Sequence, residues 1–365
     1  MGVLLFAHYV LCVMSLRMSC LDMIFQNFLF LCVCMFSRPF KDEDLMVIKN
    51  STNLHSTKGH CQSKSHSTRN KVLSKGKPFD MIYVVGGWSK DDPSCPVEQF
   101  CPQYNEWKMT APMLHPRSDP GVCTLGGAIY AVGGSDDVTC LSSVERYDPE
   151  CNTWSVDVPS LSSPRSRVCV LEMDGCLITL GGFDGMTCIN AVERYDPLKN
   201  SWSKLTPMLR NRASASAAVL NDQIYVMGGT DGDMTLDSVE RFDPFEGCWS
   251  LCPTMSTARE ASGCTVFLGC LYVAGGRDEL GLSLSTVEKY DPDTVRWSPV
   301  RAMNNKRFQV SLVLLNGLLL AIGGFDGVID LKTMEAYDHE TNSWRHFGST
   351  ESKHPGGHVA LIKAV

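Results

Sequence analysis

Arginines recur at a nearly constant spacing through this 365-residue chain. Arg117, Arg165, Arg212, Arg259 and Arg307 follow one another at steps of 48, 47, 47 and 48 residues. A guanidinium presents its N–H donors in a planar fork that matches a carboxylate or a phosphate. If the arginines share one surface, they form a circlet suited to an acidic or phosphorylated peptide. An alternative role is structural, because an arginine at the same place in every repeat can hydrogen-bond neighbouring loops.

The segments near these arginines carry further side chains that are typical of protein interfaces. The predicted partner-binding set therefore adds eight residues to the five arginines: Trp88, Lys90, Asp136, Arg167, Phe183, Asp231, Arg277 and Phe325. The Asp-Gly pairs that begin at positions 184, 231 and 326 have a structural interpretation as well, because Asp-Gly is common turn chemistry.

Signatures of catalysis and of metal binding are not found in the repeats. Histidines occur there at unrelated positions, and no phosphate-binding loop, HExxH motif or paired-carboxylate motif is present. The 17 cysteines include no CxxC pair, and their spacing favours reduced thiols over a zinc site or a disulfide framework. We therefore predict no enzymatic activity, no catalytic residue, no metal and no cofactor.

Charge is distributed unevenly along the chain. The net charge is −7, but residues 51–78 contain six Lys and Arg and no acid, which leaves −13 for residues 79–365. An acidic body of this size argues against nucleic acid as a partner.

The arginines belong to a repeat of about 47 residues. Glycine pairs begin at positions 86, 133, 181, 228, 275 and 323, and a tryptophan follows each pair at a distance of 21 or 22 residues. One repeat, residues 166–208, contains four short apolar segments separated by turn signals, which predicts a four-stranded antiparallel meander. The second segment is apolar on both faces, and radial stacking of sheets covers both. The sequence therefore predicts an all-β, six-bladed propeller over residues 79–365.

The glycine pairs, the spaced tryptophans and the element VERYDP (residues 144–149 and 192–197) resemble the kelch repeats of the kelch-like family. The resemblance implies a protein-interaction module that captures a protein or peptide substrate for a cullin-3 ubiquitin ligase. Family members recruit the cullin through BTB and BACK domains, and residues 1–78 are too few and of the wrong composition for these, so cullin binding by this chain is not expected. The alternative is a cytoskeletal, actin-binding kelch scaffold.

The C-terminal tail continues the arginine register. One further step of 47 residues from Arg307 reaches His354, which therefore takes the place of a sixth arginine. We predict that residues 356–362 form the innermost strand of blade one, pair with residues 81–87 and close the ring, because closure hides two strand edges.

Two segments precede the predicted propeller. Residues 1–49 are hydrophobic and atypical, and residues 50–78 have the composition of a basic, flexible linker. We predict a cytoplasmic protein with no membrane partner. A membrane-associated or secretory location is the alternative if residues 1–36 act as a signal anchor.

Overall fold

The computed structural model describes residues 79–87, 97–136 and 138–364, and these residues form six four-stranded antiparallel sheets. The predicted six-bladed propeller is confirmed. The predictions for the segments 1–49 and 50–78, and those for Trp88 and Lys90, lie outside the described residues.

Blades one to three use the first eleven strands and the last one. Blade one contains β1 (Met81–Val85), β2 (Glu98–Cys101), β3 (Glu106–Met109) and, innermost, β24 (His358–Ile362). Blade two contains β4 (Gly121–Leu125), β5 (Ala128–Val132), β6 (Val144–Asp148) and β7 (Thr153–Ser155). Blade three contains β8 (Cys169–Met173), β9 (Cys176–Leu180), β10 (Val192–Asp196) and β11 (Ser201–Leu205).

Blades four to six repeat the same order from the channel outward. Blade four contains β12 (Ser216–Leu220), β13 (Gln223–Met227), β14 (Val239–Asp243) and β15 (Cys248–Cys252). Blade five contains β16 (Gly263–Phe267), β17 (Cys270–Ala274), β18 (Val287–Asp291) and β19 (Arg296–Val300). Blade six contains β20 (Ser311–Leu315), β21 (Leu318–Ile322), β22 (Thr333–Asp338) and β23 (Ser343–Ser349).

The hydrophobic core lies between the blades. Each of six buried clusters joins side chains of two neighbouring blades, and the cluster between blades one and two contains Tyr83, Tyr147 and Trp154. The Trp154 Nε1–H also donates to the carbonyl of Ala111, in the segment that arrives from blade one, at 2.9 Å. The tryptophans and tyrosines of the repeat are therefore core residues, which fill the gaps between stacked sheets.

The C-terminal strand closes the ring as the sequence predicts. Strand β24 pairs antiparallel with β1, in a register that places Met81 opposite Ile362 and Val85 opposite His358. The cluster between blades six and one includes Val359 and Leu361 of β24 as partly buried members. Beyond the strand, the Ala364 N–H donates to Asp80 Oδ1 at 2.9 Å.

Two-residue turns join the first and second strands of blades two to six. In blade five the turn residues are Leu268 and Gly269, with φ angles of 50° and 74°. Both angles lie in the left-handed region that this tight hairpin requires, and glycine or asparagine is the usual choice there. Leu268 is 63% exposed, so its side chain contributes little packing in return.

Replacing Leu268 by asparagine is expected to raise the free energy of unfolding by about 1 kcal/mol, because a left-handed backbone costs a leucine about 1–2 kcal/mol. Urea unfolding of the two proteins measures the difference. The matched control is Leu198→Asn at a turn residue that is 96% exposed and is not among the positive-φ residues, and its stability should stay within about 0.5 kcal/mol of wild type. Equal stability of Leu268→Asn and wild type would contradict the argument.

Candidate functional site

The five repeated arginines are interior residues. Each side chain is fully buried, and each guanidinium pairs with a glutamate on the third strand of the same blade. The prediction that Arg117, Arg165, Arg212, Arg259 and Arg307 contact a partner is therefore wrong. Their regular spacing reflects the alternative role, in which each arginine holds the loops of its own blade together.

Arg212 shows how this contact works. Its Nη1 donates to the carbonyls of Gly228 and Ser238 at 2.7 and 3.0 Å, and its Nε and Nη2 donate to Glu240 Oε1 at 3.0 and 2.9 Å. Glu240 in turn accepts the backbone N–H groups of Leu209 and Arg210 at 2.6 and 3.1 Å. The ion pair thus joins the interblade segment, the end of the second strand and the start of the third.

The glycine pairs are required by the same arrangement. The Gly229 N–H donates to the carbonyl of Arg259, the arginine of the next blade, at 2.9 Å. A Cβ atom on Gly228 would lie 2.3 Å from that same carbonyl oxygen. The next blade therefore approaches so closely that a side chain does not fit. Both residues also have a positive φ, which favours glycine.

His354 occupies the sixth arginine position, as the sequence step predicts. Its Nδ1 lies 3.0 Å from the carbonyl oxygen of Gly86, and its Nε2 lies 3.3 Å from Glu98 Oε1. Glu98 also accepts the N–H groups of Glu351 and Ser352 at 2.9 and 2.5 Å. Burial raises the pKa of Glu98, but the hydrogen bonds from His354, Ser352 and Glu351 outweigh it and leave the pKa below its ordinary value.

One end of the propeller carries the long loops that the structure describes, and we call it the loop face. In a radial meander the loops between second and third strands and the segments between blades emerge at the same end, and bridges such as Ser118 with Ser135 and Ala213 with Thr230 join them. The short hairpin turns, which include Leu198, Phe245 and Leu268, lie at the opposite end.

An aspartate organises each described loop between second and third strands. Asp184 Oδ1 accepts the N–H groups of Met186 and Thr187, both at 2.8 Å, and these bonds hold the pKa of Asp184 below its ordinary value despite the opposing effect of desolvation. The same pair of hydrogen bonds from the backbone to Oδ1 is found at four other aspartates: Asp136, Asp231, Asp278 and Asp326. The interpretation of Asp-Gly as turn chemistry is therefore confirmed for Asp184, Asp231 and Asp326.

These loops end in exposed apolar side chains that the sequence prediction missed. The residue two or three positions after each aspartate projects into solvent, and Val138 and Met186 are both 87% exposed. The corresponding residues in the next three blades are Met234, Leu280 and Val328. Their signal in the sequence is an apolar residue two or three positions after a loop aspartate.

The other predicted residues lie on the loop face in different settings. The Arg167 guanidinium lies over the Phe183 ring, 5.4 Å from its centroid. Arg277 Nε donates to Glu260 Oε1 at 2.5 Å, and its guanidinium lies 4.6 Å from the ring centroid of Phe308. Phe325 is half-buried and pairs through its backbone with Phe308. Arg167 and Phe183 thus lie together, whereas Arg277 and Phe325 belong to neighbouring loops on another part of the ring.

A groove of about 540 Å³ opens on the loop face between blades two and three. Its apolar wall contains Val138, Pro164, Phe183 and Met186, and Asp184 contributes a carboxylate to its lining. We call this space the blade two–three groove. It is large enough for more than one side chain of a bound peptide, and it brings the predicted residues Arg167 and Phe183 together with the unpredicted apolar loop tips.

The central channel has less space for a partner than the blade two–three groove. Its cavity of about 160 Å³ is lined mostly by small residues of the innermost strands, which include Ala217 and Gly263. Burial raises the pKa of the channel thiol of Cys169 to about 12, so this cysteine is a poor nucleophile. Gln309 Nε2 donates to Asp119 Oδ1 at 2.8 Å across the mouth of the channel.

The described residues contain neither a cluster of metal ligands nor a membrane-spanning helix. Within residues 79–87, 97–136 and 138–364 no group of three or more His, Cys, Asp and Glu side chains is arranged to hold a metal ion. In those ranges, the structure also has no helix of the length and apolarity needed to cross a membrane.

The sheet topology and the interblade arginines define a kelch propeller, and comparison with known families agrees. The KLHDC2/KLHL20/DRC7 Kelch-repeats domain matches residues 80–268 and 157–324, and the Kelch motif matches residues 306–349. These matches cover more than half of the chain, so the chain belongs to the kelch-repeat family. Kelch propellers are typically protein-interaction modules.

Individual relatives cover the chain to different extents. The chain is 34% identical to Kelch-like protein 4 of Homo sapiens over 77 residues, which are 21% of this chain and 11% of that protein. The matched region therefore spans about a tenth of the length of this curated relative. The solved structure of YjhT is similar with a TM-score of 0.66 and 15% identity, covering 74% of this chain and 98% of that one, and it shows the same fold.

Proposed function

We propose that this kelch propeller captures a protein substrate on its loop face. The observation that carries the proposal is the blade two–three groove, a concave space of about 540 Å³ beside the exposed side chains of Val138 and Met186. Apolar side chains beside a pocket are the usual anchors of a protein interface.

Captured proteins are substrates for ubiquitination in this proposal. The likeness to Kelch-like protein 4 and the kelch-repeat matches support an adaptor role, in which the propeller recognises the substrate of a cullin-3 ubiquitin ligase. We assign the role to the cytosol, where free thiols such as those of Cys151 and Cys248 stay reduced.

Affinity capture with the tagged full chain tests the proposal. The loop-face variant Val138→Asp/Met186→Asp is expected to lose captured partners by about tenfold or more, because charges replace apolar anchors at the groove. The control Leu198→Asp/Phe245→Asp changes two equally exposed apolar residues at the opposite end and should keep them. Quantitative mass spectrometry of the captured proteins gives the comparison, and thermal melting verifies that the variants fold.

The outcomes separate the alternatives. Partners that survive the loop-face variant but not the control variant would overturn the assignment of the face. Partners lost from the loop-face variant whose ubiquitination does not depend on this chain would overturn the ligase role alone. If the captured proteins were limited to actin or other filament proteins, the result would favour the cytoskeletal alternative.

A further inference from the structure

The burial of the arginines bears on which charge a partner of the loop face should carry. A cationic circlet would select an acidic ligand, but all five of its members point inward and are neutralised by buried glutamates. The charge that a partner meets is therefore set by the remaining residues of the loop face.

Acidic residues dominate what remains. Without the five buried arginines, the described residues of the loop face contain thirteen Asp and Glu and seven Lys and Arg. The residues counted are 110–120, 133–143, 156–168, 181–191, 206–215, 228–238, 253–262, 275–286, 301–310, 323–332 and 350–357. Two of the seven bases are already engaged, each with one of the thirteen acids: Arg277 pairs with Glu260, and Arg167 lies over Phe183 and faces Asp119. Without these two pairs, eleven acids and five bases remain. The accessible field of the loop face is thus negative.

Carboxylate and apolar side chains alternate at the groove. Asp184 uses Oδ1 for the backbone of its own loop, and among the described residues Oδ2 has no hydrogen-bond donor. The same holds for Asp136, whose loop presents Val138 on the other side of the groove. Each loop therefore offers one free carboxylate oxygen next to one exposed apolar side chain.

We propose that the blade two–three groove binds a protein segment in which an apolar anchor side chain is flanked by lysine or arginine. The inference rests on the proposed function and names the chemistry of its substrate. The anchor packs against Val138, Phe183 and Met186, and the flanking cations meet the free oxygens of Asp136 and Asp184. An acidic segment is disfavoured because it would place like charges beside these carboxylates.

Selection of short random peptides on the immobilised full chain tests this chemistry. The enriched peptides are expected to combine apolar residues with lysine or arginine and to bind more weakly as salt is raised. Asp136→Asn/Asp184→Asn keeps the amide oxygen that the loop needs but removes both charges, and it should weaken binding of these peptides about tenfold. Met186→Ser should weaken it by a similar factor through loss of the anchor contact.

Blade three provides its own matched control. Asp196 Oδ1 accepts the N–H groups of Leu198 and Lys199 at 3.0 and 3.4 Å, so the same motif with an exposed apolar residue recurs at the opposite end. Asp196→Asn and Leu198→Ser should leave peptide affinity unchanged. A peptide of residues 55–70, which contains three Lys and Arg, no acid and no Val, Leu, Ile, Met or Phe, should bind at least tenfold more weakly than the selected peptides.

Four results would overturn the inference: enrichment of acidic peptides, absence of any enrichment, equal affinity for the groove variants, or tight binding of the peptide of residues 55–70. The last result would show that positive charge is sufficient for binding without an apolar anchor. If partners from cells still depend on the loop face while acidic peptides are selected, the proposed function stands and only this partner chemistry fails.

Discussion

Replacing Arg212 by alanine is expected to lower the free energy of unfolding by about 3–5 kcal/mol, because it leaves the buried Glu240 carboxylate without its cation. The carbonyls of Gly228 and Ser238 lose donors in the same step. Denaturant unfolding of the purified chain measures the loss, which is a large part of the stability of an ordinary domain.

The neighbouring Arg210 supplies the control. It is exposed in the same interblade segment, so Arg210→Ala should change stability by no more than about 0.5 kcal/mol. The double variant Arg212→Met/Glu240→Gln should recover part of the loss, since no uncompensated charge remains. Wild-type stability of Arg212→Ala would contradict the structural role of the arginines.

Truncation after His354 is expected to lower the melting temperature by about 10 °C or more. The truncation removes β24, which pairs with β1 along five residues and packs Val359 and Leu361 between blades six and one. Complete burial of a Val, Leu or Ile side chain stabilises a protein by about 1.5–3 kcal/mol. Because this strand is only partly buried, its removal is expected to lower the free energy of unfolding by about 5 kcal/mol in total. Differential scanning calorimetry measures the shift.

A shorter truncation isolates the contribution of the strand. Ending the chain after Ile362 removes only the contacts of its last residues, such as the Ala364 N–H to Asp80, and should shift the melting temperature by no more than a few degrees. If the two truncated proteins melted at the same temperature as the full chain, β24 would not be the element that holds the ring closed.

The repeat made the fold and its closure predictable, because glycines, tryptophans and arginines recur at positions that geometry restricts. The register from Arg307 to His354 even located the residue that replaces the sixth arginine. The burial of the arginines was not predictable from spacing, since a periodic charged residue can point outward or inward. The decisive signal was the glutamate near the start of every third strand, which follows a valine in five blades and Met334 in blade six. It supplies the matching buried charge at Glu145, Glu193 and their equivalents.

The features of the loop face were also only partly predictable from the sequence. Asp184 and its equivalents were recognisable as turn residues, but the apolar tips depend on how the turn directs Val138 and Met186 into solvent. The groove forms between two loops of different blades, and no local pattern specifies such a distance. Sequence reasoning therefore counted the five buried arginines among the accessible charges of the loop face and missed its exposed apolar side chains.

The closing strand also determines the order in which the blades can fold during synthesis. Each of blades two to six is contiguous in the chain, so each can form as soon as its own four strands have emerged. Blade one differs, because Glu98 and Glu351 are joined across 253 residues and Asp80 and Ala364 across 284. Such contacts carry a large loop-closure entropy and form late. Until then β1 has an open edge, and a chaperone or a second nascent chain could pair with it.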